Sequence, residues 1–192
     1  MRRVLLVLLL VALSAQGTES LQTEKSETDK MMEYYLEQAK PVAEHQRLTE
    51  LAGRWKVTMK FWFGPDAEPQ TASGTGIGKL ILGGRFLQIE MEVKGSFNEQ
   101  SLSMFGFDRR TNEYTLVGFD TMGTYYITAA GNYAAAEKAV VLHGSYKQPP
   151  TGEEQQYRFH WTNPSPREHL LTLYFSMGGK DVRVAETRFV RE

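Results

Sequence analysis

The sequence predicts an all-β protein: an antiparallel up-and-down barrel of about ten strands with a short N-terminal helical plug. From Trp55 onward, apolar and polar residues alternate with a period of two, and turn residues recur at intervals of about ten to twelve residues. No second helical region follows. A meander of this length closes into a barrel because closure removes the exposed edge strands. A β-sandwich would need longer crossing connections than the sequence contains.

The N-terminal residues have the features of an export signal. Arg2 and Arg3 precede an apolar run over residues 4–13, and small residues follow at Ala15 and Gly17. The run is too short to span a bilayer, which favours a signal peptide over an uncleaved anchor or a buried core helix. We therefore expect a secreted or periplasmic protein with no integral membrane segment after cleavage.

These features divide the chain into three parts. Residues 1–17 are interpreted as the signal peptide, and the polar residues 18–29 as a flexible linker without apolar periodicity. Residues 30–192 form a single barrel domain of ordinary size. The sequence does not indicate an oligomeric state.

The composition excludes several classes of protein. Because the 192-residue chain contains no cysteine, it has no disulfides, thiolate metal sites or cysteine nucleophiles. Loss of Arg2 and Arg3 with the signal lowers the Lys and Arg count from 22 to 20 against 23 Asp and Glu, for a net charge of −3. A near-neutral chain with dispersed charges provides no basic stripe for nucleic acid.

Two helices and a joint precede the barrel. Helical spacing of apolar residues predicts a helix over residues 30–39, and a second helix follows Pro41. Gly53 is expected to stop that helix in a left-handed conformation. Trp55 then begins the first strand, where we expect the helix to cover it at the closed end of the barrel.

The strands follow from alternating polarity and from the turns between them. The first ends at Gly64. The remaining predicted strands are Thr71–Leu82, Leu87–Val93, Leu102–Phe107, Tyr114–Asp120, Thr124–Tyr133, Ala139–Tyr146, Gln155–Thr162, His169–Ser176 and Val182–Val190.

Several ordered motifs carry a family resemblance. Gly53-Arg54-Trp55 after a short helix resembles the opening of lipocalins and other calycin barrels. Leu82-Gly83-Gly84-Arg85-Phe86, Gly106-Phe107-Asp108, Asp120-Thr121-Met122-Gly123-Thr124 and Glu186-Thr187-Arg188-Phe189 extend the likeness over nearly the whole domain. Together they resemble an exported bacterial family, domain of unknown function 1579. The resemblance implies a lipocalin-like barrel, structural roles for Gly53, Trp55 and Arg85, and no stated activity.

The last strand carries the most notable polar pair. Val182, Val184, Glu186 and Arg188 alternate along it, so inward valines would place both charges inside the barrel. Three interpretations follow from this placement. Glu186 and Arg188 form an ion pair with each other, or Arg188 stacks on Trp55, or the two side chains together anchor a ligand that carries an acid or a hydroxyl group.

Further candidate residues are aromatic or lie at the rim. Tyr126, Tyr157 and Tyr174 are candidate ligand-binding hydroxyls, and Asp120 with Thr124 either caps its own turn or contacts a ligand at the barrel mouth.

The histidines do not predict a metal site. If Lys147 pairs with Gln155, His143 faces inward with Tyr157, and His160 faces outward. His143 is therefore a candidate ligand contact without a second histidine beside it. We find no catalytic motif, and we expect no cofactor and no metal.

These observations leave three functional hypotheses. The first is an exported protein that binds a small apolar or amphipathic ligand, which the aromatic content favours. The second is a barrel enzyme, an isomerase or hydrolase, that uses Glu186 or Asp120 as base. The third is a filled barrel that serves as an envelope interaction module.

Overall fold

The computed structural model describes residues 25–64, 67–149 and 151–192. The predicted signal peptide and residues 18–24 of the predicted linker lie outside them. Within the described residues, no helix is long and apolar enough to cross a membrane. The elements are α1 Glu27–Gln38, α2 His45–Glu50, β1 Gly53–Phe61, β2 Gln70–Ile81, a 3₁₀ turn Leu82–Gly84, β3 Phe86–Gly95, β4 Glu99–Asp108, β5 Glu113–Asp120, β6 Tyr126–Ala134, β7 Ala139–Lys147, β8 Glu154–Ser165, β9 Glu168–Met177 and β10 Lys180–Arg191.

The ten strands form a closed antiparallel barrel, which confirms the predicted fold. Each strand pairs with the next one along the chain, and β1 closes the barrel against β10. Buried and more exposed residues alternate along strands such as β1 and β4, because successive side chains of a strand point to opposite faces of the sheet. Because β1 pairs with β10, each of the ten strands has a partner strand on both sides.

Helix α1 begins earlier than the sequence predicts. Ser26 caps it: the Ser26 hydroxyl accepts from the Asp29 amide at 3.1 Å, and the Asp29 carboxylate accepts from the Ser26 amide at 3.2 Å. This reciprocal cap starts the helix at Glu27, within the segment predicted to be linker. The barrel belongs to a compact unit that begins at Glu37, and most of α1 precedes that unit.

Helix α2 and Trp55 form the closed end of the barrel. Trp55 is 1% exposed, and its indole Nε1 donates to the Leu51 carbonyl at 2.9 Å. The Arg191 guanidinium lies 4.3 Å from the Trp55 ring centre and donates to the Glu50 and Ala52 carbonyls at 2.8 and 3.1 Å. Arg191 therefore occupies the stacking position considered for Arg188, and it satisfies carbonyls at the end of α2.

Gly53 and Arg85 both have structural roles. Gly53 begins β1 with φ of 127°, and a Cβ there would lie 2.8 Å from Arg191 Nη1, so glycine leaves room for that side chain. The prediction that Gly53 stops the helix was wrong, since α2 ends at Glu50 before it. Arg85 donates to the carbonyls of Ala39 and Leu82 at 2.6 and 3.0 Å, and so ties the segment before α2 to the barrel.

A β-bulge reverses the faces of the last strand. Val182 pairs with the inward Phe175, but the register shifts between Arg183 and Ala185. Beyond the bulge, Ala185, Thr187 and Phe189 are buried, whereas Glu186 and Arg188 lie on the outer face. The predicted inward placement of Glu186 and Arg188 was therefore wrong, because strict alternation does not hold across an extra residue.

We expect Glu186 and Arg188 to be energetically independent of each other. Glu186 pairs with Arg183 at 3.2 Å, and Arg188 pairs with Glu168 at 2.7 Å. Exposed pairs of this kind contribute about 0–1 kcal/mol each, so Glu186→Gln and Arg188→Gln should each change the unfolding free energy by less than about 1 kcal/mol. A double-mutant cycle in urea should give additive effects. A coupling energy above about 1 kcal/mol would mean that the two side chains are partners after all.

Candidate functional site

The structure separates the residues that the sequence placed together. Tyr157 and Asp120 face the interior, whereas Tyr126 and Tyr174 do not. Tyr126 is 65% exposed because Ile127 and Ala129 take the inward positions of β6. Tyr174 lies on the outer face under the Arg158 guanidinium, 4.7 Å from its ring centre. Tyr126 and Tyr174, which the sequence suggested as ligand-binding hydroxyls, therefore lie outside the interior of the barrel.

His143 also lies outside the barrel. Lys147 pairs with Glu154 rather than with Gln155, which shifts the β7–β8 register by one residue. The shift brings His143 opposite Arg158 on the outer face, where His143 is exposed and His160 contacts Glu137 at 3.1 Å. The inward prediction for His143 was wrong because a one-residue slip exchanges the two faces of a strand.

Tyr157 bridges an interruption in the barrel wall. The β6–β7 ladder pairs Ala130–Ala134 with Ala139–His143, and no pair is formed among the described residues toward the open end. The Tyr157 hydroxyl donates to the Thr128 carbonyl at 2.7 Å and accepts from the Thr128 amide at 3.3 Å. These bonds satisfy backbone groups that lack a strand partner, so Tyr157 has a structural role.

The rim residues have different positions. Asp120 lies opposite Ser101, and since directly paired residues share a face, its carboxylate points into the open end of the barrel. One of its oxygens accepts from the Met122 amide at 2.8 Å, which is the turn cap considered for it. Thr124 is exposed in the same turn.

A small cavity lies in the centre of the barrel. Its volume is about 50 Å³, which is room for roughly three to five water molecules. Hydrocarbon and aromatic side chains form most of its wall, together with two serines, a threonine and a histidine. The lining residues are Leu51, Ile89, Met91, Ser101, Ser103, Phe105, Trp161, His169, Leu171, Thr187 and Phe189.

His169 is the most unusual residue of this cavity. Its Nδ1 accepts a hydrogen bond from the Trp161 indole at 3.2 Å, so Nε2 carries the proton of the neutral ring. Nε2 is buried, and no described atom meets it in good hydrogen-bonding geometry. The Glu50 carbonyl interacts with the imidazole and raises the pKa of His169, but it also accepts from Arg191. The wall of the cavity therefore contains a poorly satisfied N–H donor.

The surroundings of His169 keep it neutral. Burial, together with the charge of Arg191, lowers the pKa of His169 to about 4, although the Glu50 carbonyl opposes this shift. Trp55 packs edge-on against the imidazole with the ring centres 5.2 Å apart. At neutral pH His169 is thus an uncharged hydrogen-bond donor in a fixed orientation.

A row of polar residues leads from the cavity to the open end of the barrel. Strand β4 places Glu99, Ser101 and Ser103 on the inward face, ahead of Phe105 and Phe107. We refer to Glu99, Ser101 and Ser103 as the β4 polar stripe. Ser101 and Ser103 line the cavity, and Glu99 stands one inward position beyond them. Asp120 is next to this stripe on β5.

Glu99 is a buried carboxyl group without a counter-charge. The residue is 8% exposed and forms no ion pair within the described residues. Burial, and to a smaller extent the charge of Asp120, raise the pKa of Glu99 to about 7, and the Ser101 hydroxyl opposes the shift. Glu99 therefore changes its protonation state near neutral pH, next to the Asp120 carboxyl group.

Sequence reasoning missed both Glu99 and His169. The polar run Ser96-Phe97-Asn98-Glu99-Gln100 resembles a turn, so the strand was predicted to begin only at Leu102. Extending the alternation of Phe105 and Phe107 backwards would have placed Glu99 on the inward face. For His169, the signal was its alternation with Leu171 and Leu173 on one strand.

The described residues contain no cluster suited to a metal ion. No three His, Asp or Glu side chains among them come together in a way that could hold a metal. What the interior offers is an N–H donor at His169, hydroxyls along the β4 polar stripe, and carboxyl groups at the open end.

Comparisons with known proteins agree with the fold. The family model described as "Protein of unknown function (DUF1579)" matches residues 40–191. No curated protein matches the chain. Among solved structures, Rv2717c from M. tuberculosis is similar with a TM-score of 0.56 and 15% identity, covering 80% of this chain and 99% of that one. The S-type phycobiliprotein lyase CPES from Guillardia theta is similar with a TM-score of 0.49 and 9% identity, covering 82% of this chain and 96% of that one. At 15% identity the first similarity supports the fold alone.

Proposed function

Since this chain belongs to the DUF1579 family, whose description states no activity, we propose that it is a binding protein that holds a small, partly apolar molecule inside its barrel. The observation that carries the proposal is the central cavity, whose mostly apolar wall includes the poorly satisfied imidazole N–H of His169. We also propose that the protein is exported, which the basic and apolar N-terminal residues support.

A buried donor that the protein satisfies poorly is a reason to expect a ligand. Leaving such a group wholly without a partner costs about 1–3 kcal/mol, so buried polar atoms without partners are rare. Trp161 holds the imidazole in place from the other nitrogen, which aims Nε2 in a fixed direction. A ligand oxygen that accepts from Nε2 would recover this energy.

The cavity wall limits what the ligand can be. Ile89, Leu171 and Phe189 surround the space with hydrocarbon and aromatic groups, so most of the ligand surface is apolar. A volume of about 50 Å³ admits a molecule of a few heavy atoms. Met91 is flexible and polarizable, and its displacement would admit a longer ligand.

The experiment is native mass spectrometry of the protein purified from its own host. We expect a bound small molecule on the wild-type protein, and an at least tenfold lower occupancy in His169→Phe, which removes the donor but preserves the aromatic volume. His169→Gln, which retains an N–H donor, should recover part of the occupancy. The matched control is His143→Phe, which changes an exposed histidine on the outer face.

Two results would contradict the proposal. The first is equal occupancy in wild type and in folded His169→Phe, which would place the bound molecule elsewhere. The second is a wild-type protein without any bound molecule whose cavity contains only water in a high-resolution crystal structure. That result would favour the filled barrel.

A second candidate function is an enzyme with an interior acid or base. The observation that favours it is the pKa of Glu99, which lies near 7 and so suits proton transfer at neutral pH. Glu99 then replaces Glu186, which lies outside the barrel. An enzyme of this kind would convert the co-purified molecule, and Glu99→Gln would abolish the conversion. A molecule recovered unchanged after prolonged incubation would argue for binding alone.

A further inference from the structure

We infer that the ligand is a small amphiphilic amine whose ammonium group binds between Glu99 and Asp120 at the open end of the barrel, with its hydrocarbon part in the central cavity. This inference rests on the proposed function and names the class of its ligand. It differs from the expectation from the sequence, in which Glu186 and Arg188 anchor a ligand that carries an acid or a hydroxyl group.

The two carboxyl groups lie next to a residue of the cavity wall. Ser101 lines the cavity, lies directly opposite Asp120 and is one inward position from Glu99. Inward residues two apart on a strand are separated by about 7 Å. A molecule seated against Ser101 and Ser103 would therefore bring its outer end to Glu99 and Asp120.

Both carboxyl groups lack a counter-charge among the described residues. Glu99 is nine-tenths buried, and no described arginine or lysine offsets its charge. Asp120 accepts a hydrogen bond from the backbone amide of Met122 and forms no ion pair with a described arginine or lysine. Arg183 and Arg188 of β10 face outward, where Arg183 pairs with Glu186 and Arg188 pairs with Glu168. Arg191 stacks on Trp55 at the closed end of the barrel. A buried carboxylate without a cation is unfavourable, and a bound ammonium group would supply that cation.

Other ligand classes fit this site less well. A carboxylic acid would bring a third negative charge beside Asp120 and Glu99, and like charges disfavour one another at such distances. An alcohol would gain a hydrogen bond but no ion pair. A divalent cation prefers six or more oxygen ligands, and the described residues contain no group of three suitable side chains. The apolar wall between His169 and Ser101 instead suits a hydrocarbon chain.

His169 gives the inference a second, independent support. Its poorly satisfied Nε2–H is buried in the wall of the same cavity and does not depend on the charge of Glu99. A ligand with an amine at one end and an oxygen acceptor at the other would satisfy both ends of the site. We therefore expect an amino alcohol or an amino ketone to bind more tightly than a plain amine.

The test compares three probes of equal length: n-butylammonium, n-butanol and n-butyrate. Each is titrated into the ligand-free full-length mature protein at pH 7 and followed by NMR chemical shifts. We expect n-butylammonium to bind at least tenfold more tightly than n-butanol, and n-butyrate to bind weakest. Glu99→Gln should lower the affinity for n-butylammonium at least tenfold and leave the affinity for n-butanol unchanged. Asp120→Asn, which retains an oxygen for the Met122 amide, should lower only the affinity for n-butylammonium.

The matched control is Glu168→Gln, which removes an outer-face carboxylate and should leave all three affinities unchanged. Equal binding of n-butylammonium and n-butanol, tightest binding of n-butyrate, or unchanged n-butylammonium affinity in folded Glu99→Gln would each overturn the inference. Absence of binding by all three would also overturn it. The proposed function is tested separately by co-purification with the wild-type protein, so the two failures are distinguishable.

Discussion

Replacing Trp55 by alanine should lower the free energy of unfolding by about 3–5 kcal/mol, the usual range for truncating a large aromatic side chain in a core. Trp55 is 1% exposed and packs against Phe189 and His169 with ring-centre distances of 6.4 and 5.2 Å. Truncation would leave a void under α2 and leave the Leu51 carbonyl without its indole donor. It would also remove the ring beneath the Arg191 guanidinium.

The measurement is urea denaturation of Trp55→Ala beside Phe63→Ala. Phe63 is a large aromatic residue that is 67% exposed, so its truncation should change stability by less than about 1 kcal/mol. A loss below about 1 kcal/mol for Trp55→Ala would mean that α2 and Trp55 do not close the barrel. An unchanged denaturant slope would show that the two variants unfold from a comparable state.

Replacing Glu99 by glutamine should stabilise the ligand-free protein above neutral pH. Burial and Asp120 raise the pKa of Glu99 from 4.5 to about 7, so the folded protein retains a proton that the unfolded chain has already lost. Stability therefore falls as the pH rises from about 4.5 to about 7, and the loss is complete above that range. At about 1.4 kcal/mol per pKa unit, reduced for partial hydration, the gain for Glu99→Gln at pH 8 is about 2–3 kcal/mol.

His169 has the opposite dependence on pH. Its pKa is lowered from 6.5 to about 4, so the unfolded chain binds a proton that the folded protein does not. The stability associated with neutral His169 is lost as the pH falls from about 6.5 to about 4. Between about pH 4.5 and 6.5 the two residues act against each other, and Glu99→Gln should steepen the loss of stability on acidification.

The pH prediction is checked by urea denaturation of wild type and Glu99→Gln at pH 4 and pH 8. The two proteins should be equally stable at pH 4, where Glu99 is protonated in both states. Glu168→Gln is the control: Arg188 lowers the pKa of Glu168 on the outer face, so that variant should gain nothing at pH 8. A Glu99→Gln variant no more stable than wild type at pH 8 would show that the Glu99 carboxylate is hydrated or paired.

The sequence alone determined the barrel and its closed end. Alternating polarity places Val57 inward and Lys56 outward. This placement does not depend on the neighbouring strand, because in any extended backbone successive side chains point to opposite faces. Turn residues recur often enough to count ten strands. Trp55 follows a short helix so closely that the covering of this ring by α2 was also predictable.

The candidate site was decided by tertiary structure, because inward or outward placement depends on register. One extra residue near Val184 moves Glu186 and Arg188 outside, and a one-residue shift between β7 and β8 moves His143 outside. Local polarity gives no sign of either shift, since both depend on how neighbouring strands hydrogen-bond. Likewise β4 extends to Glu99 only because β3 continues to Val93 and supplies its partner. A polar segment that would be a turn in isolation thereby becomes barrel wall, and its carboxyl group becomes buried.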